Sequence, residues 1–120
     1  MLNQTYSKLE CIVIDDGSTD NSYAIIQSYA NKNDQIVTLQ NKTRIHLTKS
    51  LNKGLKIAKG QYIARQDADD ISLPERLESQ IAYMENNKDI GILGTSVELI
   101  DIKGKNIRSL KGQSNTSFLK

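Results

Sequence analysis

Short β-branched apolar runs alternate along this chain with stretches patterned at helical spacing, and that alternation constrains the fold more than any other feature. "LECIVID", Leu9 to Asp15, is closed by the turn-forming "DDGSTDNS". A run of this kind reads as a strand buried on both faces, as in a parallel sheet. "STDNSYAIIQSYANKN" then predicts a helix, with Ser18 or Thr19 as N-cap, Asp20 in the first turn and Ala24, Ile25, Tyr29 and Ala30 on its inner face. "QIVTLQN" reads as a second strand. Leu47, Leu51, Leu55 and Ala58 predict an amphipathic helix ending near Gly60. "GQYIARQ" reads as a third strand.

Pro74 suits the first turn of a further helix, with Leu77, Ile81 and Met84 as its buried stripe, fraying into "ENNKD". "IGILGTSVELID" is a fourth strand candidate, and a turn at Lys103-Gly104 leads to a short antiparallel strand. The pattern predicts an α/β sandwich with a mostly parallel sheet over residues 1–110 and a disordered tail over 111–120. In such sheets ligands bind beyond the carboxyl ends of the strands. Two acidic clusters fall there: Asp15-Asp16 after the first strand, and Asp67, Asp69 and Asp70 after the third.

Composition narrows the function classes. With no tryptophan, five tyrosines and one phenylalanine, the chain lacks the rings of a stacking platform for single-stranded nucleic acid. A net charge of +2 without a basic stripe does not imply nucleic-acid binding. The one cysteine, Cys11, has no internal disulfide partner and sits in an apolar run, so it reads as a small buried hydrophobe. No run is long enough to span a bilayer, and the expected location is cytoplasmic, with peripheral membrane association left open.

Three acids in four positions repel one another unless something offsets the charge. Carboxylates two residues apart can converge on a hard cation, and magnesium takes one or two carboxylates together with waters and substrate phosphates. Asp67-Ala68-Asp69 therefore suits a metal–diphosphate site; a solvated turn capping the next helix is the plain alternative. A calcium loop counted from Asp67 fails, because Ile71 stands where a ligand is needed and Ser72 where glycine is needed. Neither a P-loop nor a GxGxxG is present, and the lone His46 has no partner at metal-ligand spacing. Paired acids after "CIVI" are also similar to those of a magnesium-binding receiver domain. That domain would need a single aspartate after the third strand and a strand-end lysine.

Taken together, "LNQTYSKLECIVIDDGSTDNS" and "LTKSLNKGLKIAKGQYIARQDADDISLPERLESQIAYM" closely resemble the family 2 glycosyltransferases of the GT-A fold, over Leu2 to about Asp101. The resemblance implies a partial Rossmann-like α/β/α sandwich, and a transferase that moves a sugar from a nucleotide-sugar, commonly a UDP-sugar, to a sugar or lipid-linked acceptor in cell-surface polysaccharide or lipopolysaccharide synthesis. It implies that Asp16 contacts the nucleobase and Asp15 supports the turn. Asp67 would touch the ribose or the metal, and Asp69 would hold Mg2+ or Mn2+ against the diphosphate. Arg44, in the loop before the second helix, could approach that diphosphate, although a solvated arginine is the favoured account.

The departures from the family pattern carry expectations too. The family's first strand is missing, so an exposed sheet edge would invite pairing of two chains. Glycine is frequent in the family where Ile45-His46 stand. The family's catalytic base lies beyond residue 120, and Glu98 and Asp101 sit in no base motif, so no catalytic residue is assigned. A truncated, non-catalytic relative is the alternative function.

Overall fold

The computed structural model describes residues 1–111. The expected tail, Lys111 excepted, lies outside the described residues. The chain divides into two units, one of Met1–Leu2 and Tyr6–Ile71, the other of Asn3–Thr5 and the chain from Ser72 onward.

In the first unit, strand β1 (Cys11–Asp15) and strand β2 (Ile36–Gln40) pair in parallel, from Cys11 opposite Ile36 to Asp15 opposite Gln40. A parallel pair needs a long crossover, and helix α1 (Ser22–Ala30) supplies it. Helix α1 packs on β1 and β2, and helix α2 (Leu47–Ile57) packs on β1. Helix α2 approaches closely at Gly54, where a Cβ would lie 2.8 Å from Ile14 Cδ1. The mixed α/β class read from the sequence is thus present, with a parallel pair between helices. Burial raises the Cys11 thiol above its usual range, in keeping with a small hydrophobe rather than a reactive thiol.

Four local expectations are corrected. Helix α1 begins at Ser22, with Asn21 rather than Ser18 or Thr19 at its N-cap position. Asp20 tightens the entry by accepting the Ser22 amide at 2.9 Å, while the Ser18 amide turns back to Asp15. Its inner face is Tyr23, Ile26, Gln27 and Ala30, whereas Ala24, Ile25 and Tyr29 are exposed. Gln27 anchors this rotation, donating to Tyr23 Oη (2.7 Å) and to Thr38 Oγ1 on β2 (3.1 Å). On α2 the inner face centres on Ser50, Leu51, Gly54 and Ala58, and Leu47 and Leu55 are exposed. Small residues let the helix approach β1, which the leucine spacing alone did not reveal. The third predicted strand, within 60–66, joins no sheet. A strand exists only where its backbone groups find a ladder, and none is offered among the described residues.

In the second unit, helix α3 (Arg76–Asn86) carries Leu77, the one buried apolar side chain among the described residues, with Ile81 and Met84 half-buried beside it. Its own N-cap, Glu75, makes no side-chain cap. Gln4 does so instead: its Oε1 accepts the Leu77 amide at 3.0 Å and its Nε2 donates to the Leu73 carbonyl at 2.8 Å. The Thr5 amide donates to the Pro74 carbonyl at 2.9 Å and its hydroxyl to Glu78 at 2.6 Å. Strands β3 (Val97–Ile100) and β4 (Asn106–Leu110) form an exposed antiparallel hairpin. Its turn is the expected one, with Gly104 at φ 78° and Asp101 Oδ1 accepting the Lys103 and Lys105 amides.

Candidate functional site

The carboxyl ends of β1 and β2 carry a tightly bonded polar rim. Asp15 closes β1 opposite Gln40 and is buried, 3% exposed. Its carboxylate accepts the Ser18 amide (3.3 and 3.4 Å) and Gln40 Nε2 (3.3 Å), which shapes the turn. Gly17 sits at φ 77°, and a Cβ there would lie 2.7 Å from the Thr43 carbonyl carbon and 2.8 Å from the Arg44 amide nitrogen. Only glycine satisfies both the backbone angle and the contact. The loop after β1 thus lies directly against the loop after β2.

Asp16 fastens the two loops together. Its Oδ1 accepts the Ile45 amide (3.0 Å), Asn41 Nδ2 (2.9 Å) and Ser50 Oγ (2.8 Å), and its Oδ2 accepts the His46 amide (2.8 Å). The bond from the Ile45 amide, then those from Ser50, Asn41 and the His46 amide, lower its pKa from the ordinary 3.8 to about 2 despite partial desolvation. Asn41, 2% exposed, also donates to Ser50 Oγ (2.9 Å) and accepts Lys53 Nζ (2.6 Å). His46 has φ 68° and ψ 165°, in a region of backbone space that is essentially glycine's alone. Its amide is held on Asp16 while its side chain is exposed. The loop therefore keeps a glycine-type conformation with a histidine in it. Arg44, in the same loop, is exposed.

The second acidic cluster is a turn in the same unit. The Asp70 amide donates to the Asp67 carbonyl at 3.2 Å, and Gln66 Nε2 bridges the carbonyls of Asp67 (3.1 Å) and Asp70 (2.9 Å). Arg65 meets the Asp67 carboxylate with its fork: Nη2 lies 2.8 and 3.0 Å from the two oxygens, and Nε 3.1 Å from the first. Arg65, Asp67 and Asp70 line an open recess of about 220 Å³. Asp69 is exposed, and its carboxylate makes no hydrogen bond or ion pair among the described residues.

The structure thus brings Asp15 and Asp16 into one rim and gathers Asp67 and Asp70 around one recess. No hydrogen bond or ion pair joins the two clusters among the described residues. Nor does any group of three His, Cys, Asp or Glu side chains among them assemble a closed metal cage. The donor set still fits magnesium or manganese: it is all carboxylate oxygen, and such ions take one or two carboxylates when substrate phosphates complete the shell. The sequence reading missed Asn41, Ser50 and Arg65. A signal for Arg65 existed, since it lies two residues before Asp67; Asn41 and Ser50 gave none.

A family model described as glycosyl transferase family 2 matches residues 1–117. The chain belongs to glycosyl transferase family 2. Its mixed α/β architecture is that expected of a partial GT-A domain. Among relatives, EpsE of Bacillus subtilis, which carries a glycosyltransferase name, is 44% identical over 102 residues, 84% of this chain and 37% of its own length. The O-antigen biosynthesis glycosyltransferase WbnJ of Escherichia coli is 38% identical over 92% of this chain and 43% of its own length. WfaP of Escherichia coli, named a UDP-Glc:alpha-D-GlcNAc-diphosphoundecaprenol beta-1,3-glucosyltransferase, is 39% identical over 72% of this chain and 34% of its own length. This family 2 chain therefore spans between 34% and 43% of the length of these three relatives. Among its described residues no helix is long and apolar enough to cross a membrane.

Proposed function

We propose that the chain is the donor-binding part of a glycosyltransferase that takes a UDP-sugar and serves a lipid- or polysaccharide-linked acceptor in surface-polysaccharide synthesis. The carrying observation is the pair of acidic loops in one unit of a family 2 chain: the locked Asp15-Asp16-Gly17 rim and the Asp67–Asp70 turn with its recess. The names of WbnJ and WfaP support the pathway class, and that of WfaP the uridine donor and the diphospholipid acceptor.

In this reading Asp15 holds the turn and Asp16 fixes the wall that receives the nucleobase. Asp67 reaches the ribose or the cation, and Asp69 is the principal cation ligand. A bound Mg2+ or Mn2+ supplies charge neutralisation on the departing nucleoside diphosphate. Titrating UDP into the folded chain by calorimetry, with and without Mn2+, tests the reading. Metal-dependent binding that weakens in Asp69→Asn is expected, and a folded sample that binds UDP in neither condition refutes it.

A second reading, a chain that transfers no sugar by itself and works through a partner chain, draws on the strand-like segment ahead of the acidic turn, which joins no sheet among the described residues. Donor hydrolysis or sugar transfer by the purified chain, abolished in Asp69→Ala, would eliminate that second reading.

A further inference from the structure

The charge problem of the acidic turn has an answer within the chain. Three carboxylates occur in four positions, and the side chain nearest in sequence able to offset them is Arg65, which places its guanidinium across both oxygens of Asp67. A planar fork on a carboxylate is the strongest geometry available to such a pair, and it occupies lone pairs that a cation at Asp67 would need. Both side chains are about half exposed, at 55% and 46%, so the pair lies in water and can be exchanged for another partner. Arg65 also lines the same recess as Asp67 and Asp70, so a guanidinium leaving Asp67 stays beside whatever anion enters.

We propose that Arg65 is a positioning residue that stands in for the divalent cation at Asp67, yields that carboxylate when the cation arrives, and turns to the diphosphate of the donor. This rests on the donor-site reading above. The exchange has opposite consequences for the two ligands. Arg65 opposes the metal alone, because they compete for the same oxygens. It favours the metal-bound nucleoside diphosphate, because the released guanidinium then has an anion to bind.

The experiment uses the full chain, its Arg65→Gln and Arg65→Lys variants, and Mn2+ and UDP as probes. Mn2+ affinity, read by electron paramagnetic resonance of the free ion, is expected to rise about two- to fivefold in Arg65→Gln, the scale of an exposed ion pair. UDP affinity at saturating Mn2+, read by calorimetry, is expected to fall about tenfold, as for a lost charge-assisted hydrogen bond. Arg65→Lys keeps the charge but not the fork, so it falls between wild type and Arg65→Gln on both scales. In wild type, saturating Mg2+ shifts the Arg65 Nε–H resonance, a change that a purely structural ion pair does not show.

Three results each overturn the inference: unchanged or weaker Mn2+ binding in Arg65→Gln, an Arg65→Lys variant equal to wild type on both ligands, or an Arg65 resonance indifferent to Mg2+. Wild-type Mn2+ binding that Asp69→Asn leaves intact refutes the donor-site reading itself, whatever Arg65 does.

Discussion

Replacing His46 with glycine relieves a backbone conformation that histidine tolerates badly. At φ 68° and ψ 165° the residue lies in a region costing on the order of 1–3 kcal/mol for a side chain with a Cβ. Glycine loses more freedom on folding than histidine, which returns about 0.5–1 kcal/mol. The bond to Asp16 comes from the backbone amide, so glycine keeps it. The net expectation is a gain of about 0.5–2 kcal/mol in the unit that holds the site. For 120 residues, unfolding entropy near 2.1 cal/mol/K per residue makes each kcal/mol worth about 4 °C, so the midpoint rises by roughly 2–8 °C. Thermal unfolding followed by far-UV circular dichroism reads this, and amide exchange at Ile45 and His46 localises it. His46→Ala retains the Cβ and is expected to give no comparable gain. A midpoint unchanged or lowered in His46→Gly, or equal gains in the alanine and glycine variants, would show that the backbone at this residue stores no strain.

Gly17→Ala carries the opposite sign. A Cβ placed 2.7 Å from the Thr43 backbone at φ 77° is expected to destabilise by about 2 kcal/mol or more, read as a lower denaturation midpoint. Asn41→Ala leaves Lys53 without its amide acceptor and removes a donor from Asp16 and Ser50, with a loss of about 1–3 kcal/mol expected from denaturant titration. Asp16 has a folded pKa of about 2 against the ordinary 3.8, so the folded state favours its ionised form. The stability it contributes is full above the higher value and is lost as pH falls through the lower one. Acid titration of wild type against Asp16→Asn therefore shows a stability difference that shrinks between about pH 4 and pH 2.

Much of this architecture was legible from residue patterns because the responsible interactions are local. The apolar runs at Cys11–Asp15 and Ile36–Gln40 are strands, Leu77, Ile81 and Met84 form the inner face of α3, and Lys103-Gly104 is the turn of a hairpin. What failed depended on partners distant in the chain. The rotation of α1 is set by Gln27 reaching Thr38, and that of α2 by small residues meeting β1, and neither contact is written in a helix's own periodicity. "QYIARQ" has strand composition, but composition cannot supply the ladder. At the site, the acids themselves stood out because charge clusters are visible in one dimension. Their partners Asn41 and Ser50 are ordinary residue types, and only the fold turns them toward Asp16.

The Gln4 cap on α3 bears on the order in which the chain can assemble. Its partners lie 69 and 73 positions away, so a helix end is completed by a segment made long before the helix itself. Contacts of that separation form late, since a loop of that length must first be closed. The β1–α1–β2 crossover needs only its own few dozen residues. During synthesis the first unit can therefore mature while Asn3–Thr5 waits for Leu73–Glu78 to emerge. A chain clipped ahead of Tyr6 is left with an uncapped α3, and the acid-lined loops of the first unit keep every bond that Asp15, Asp16 and Asp67 make.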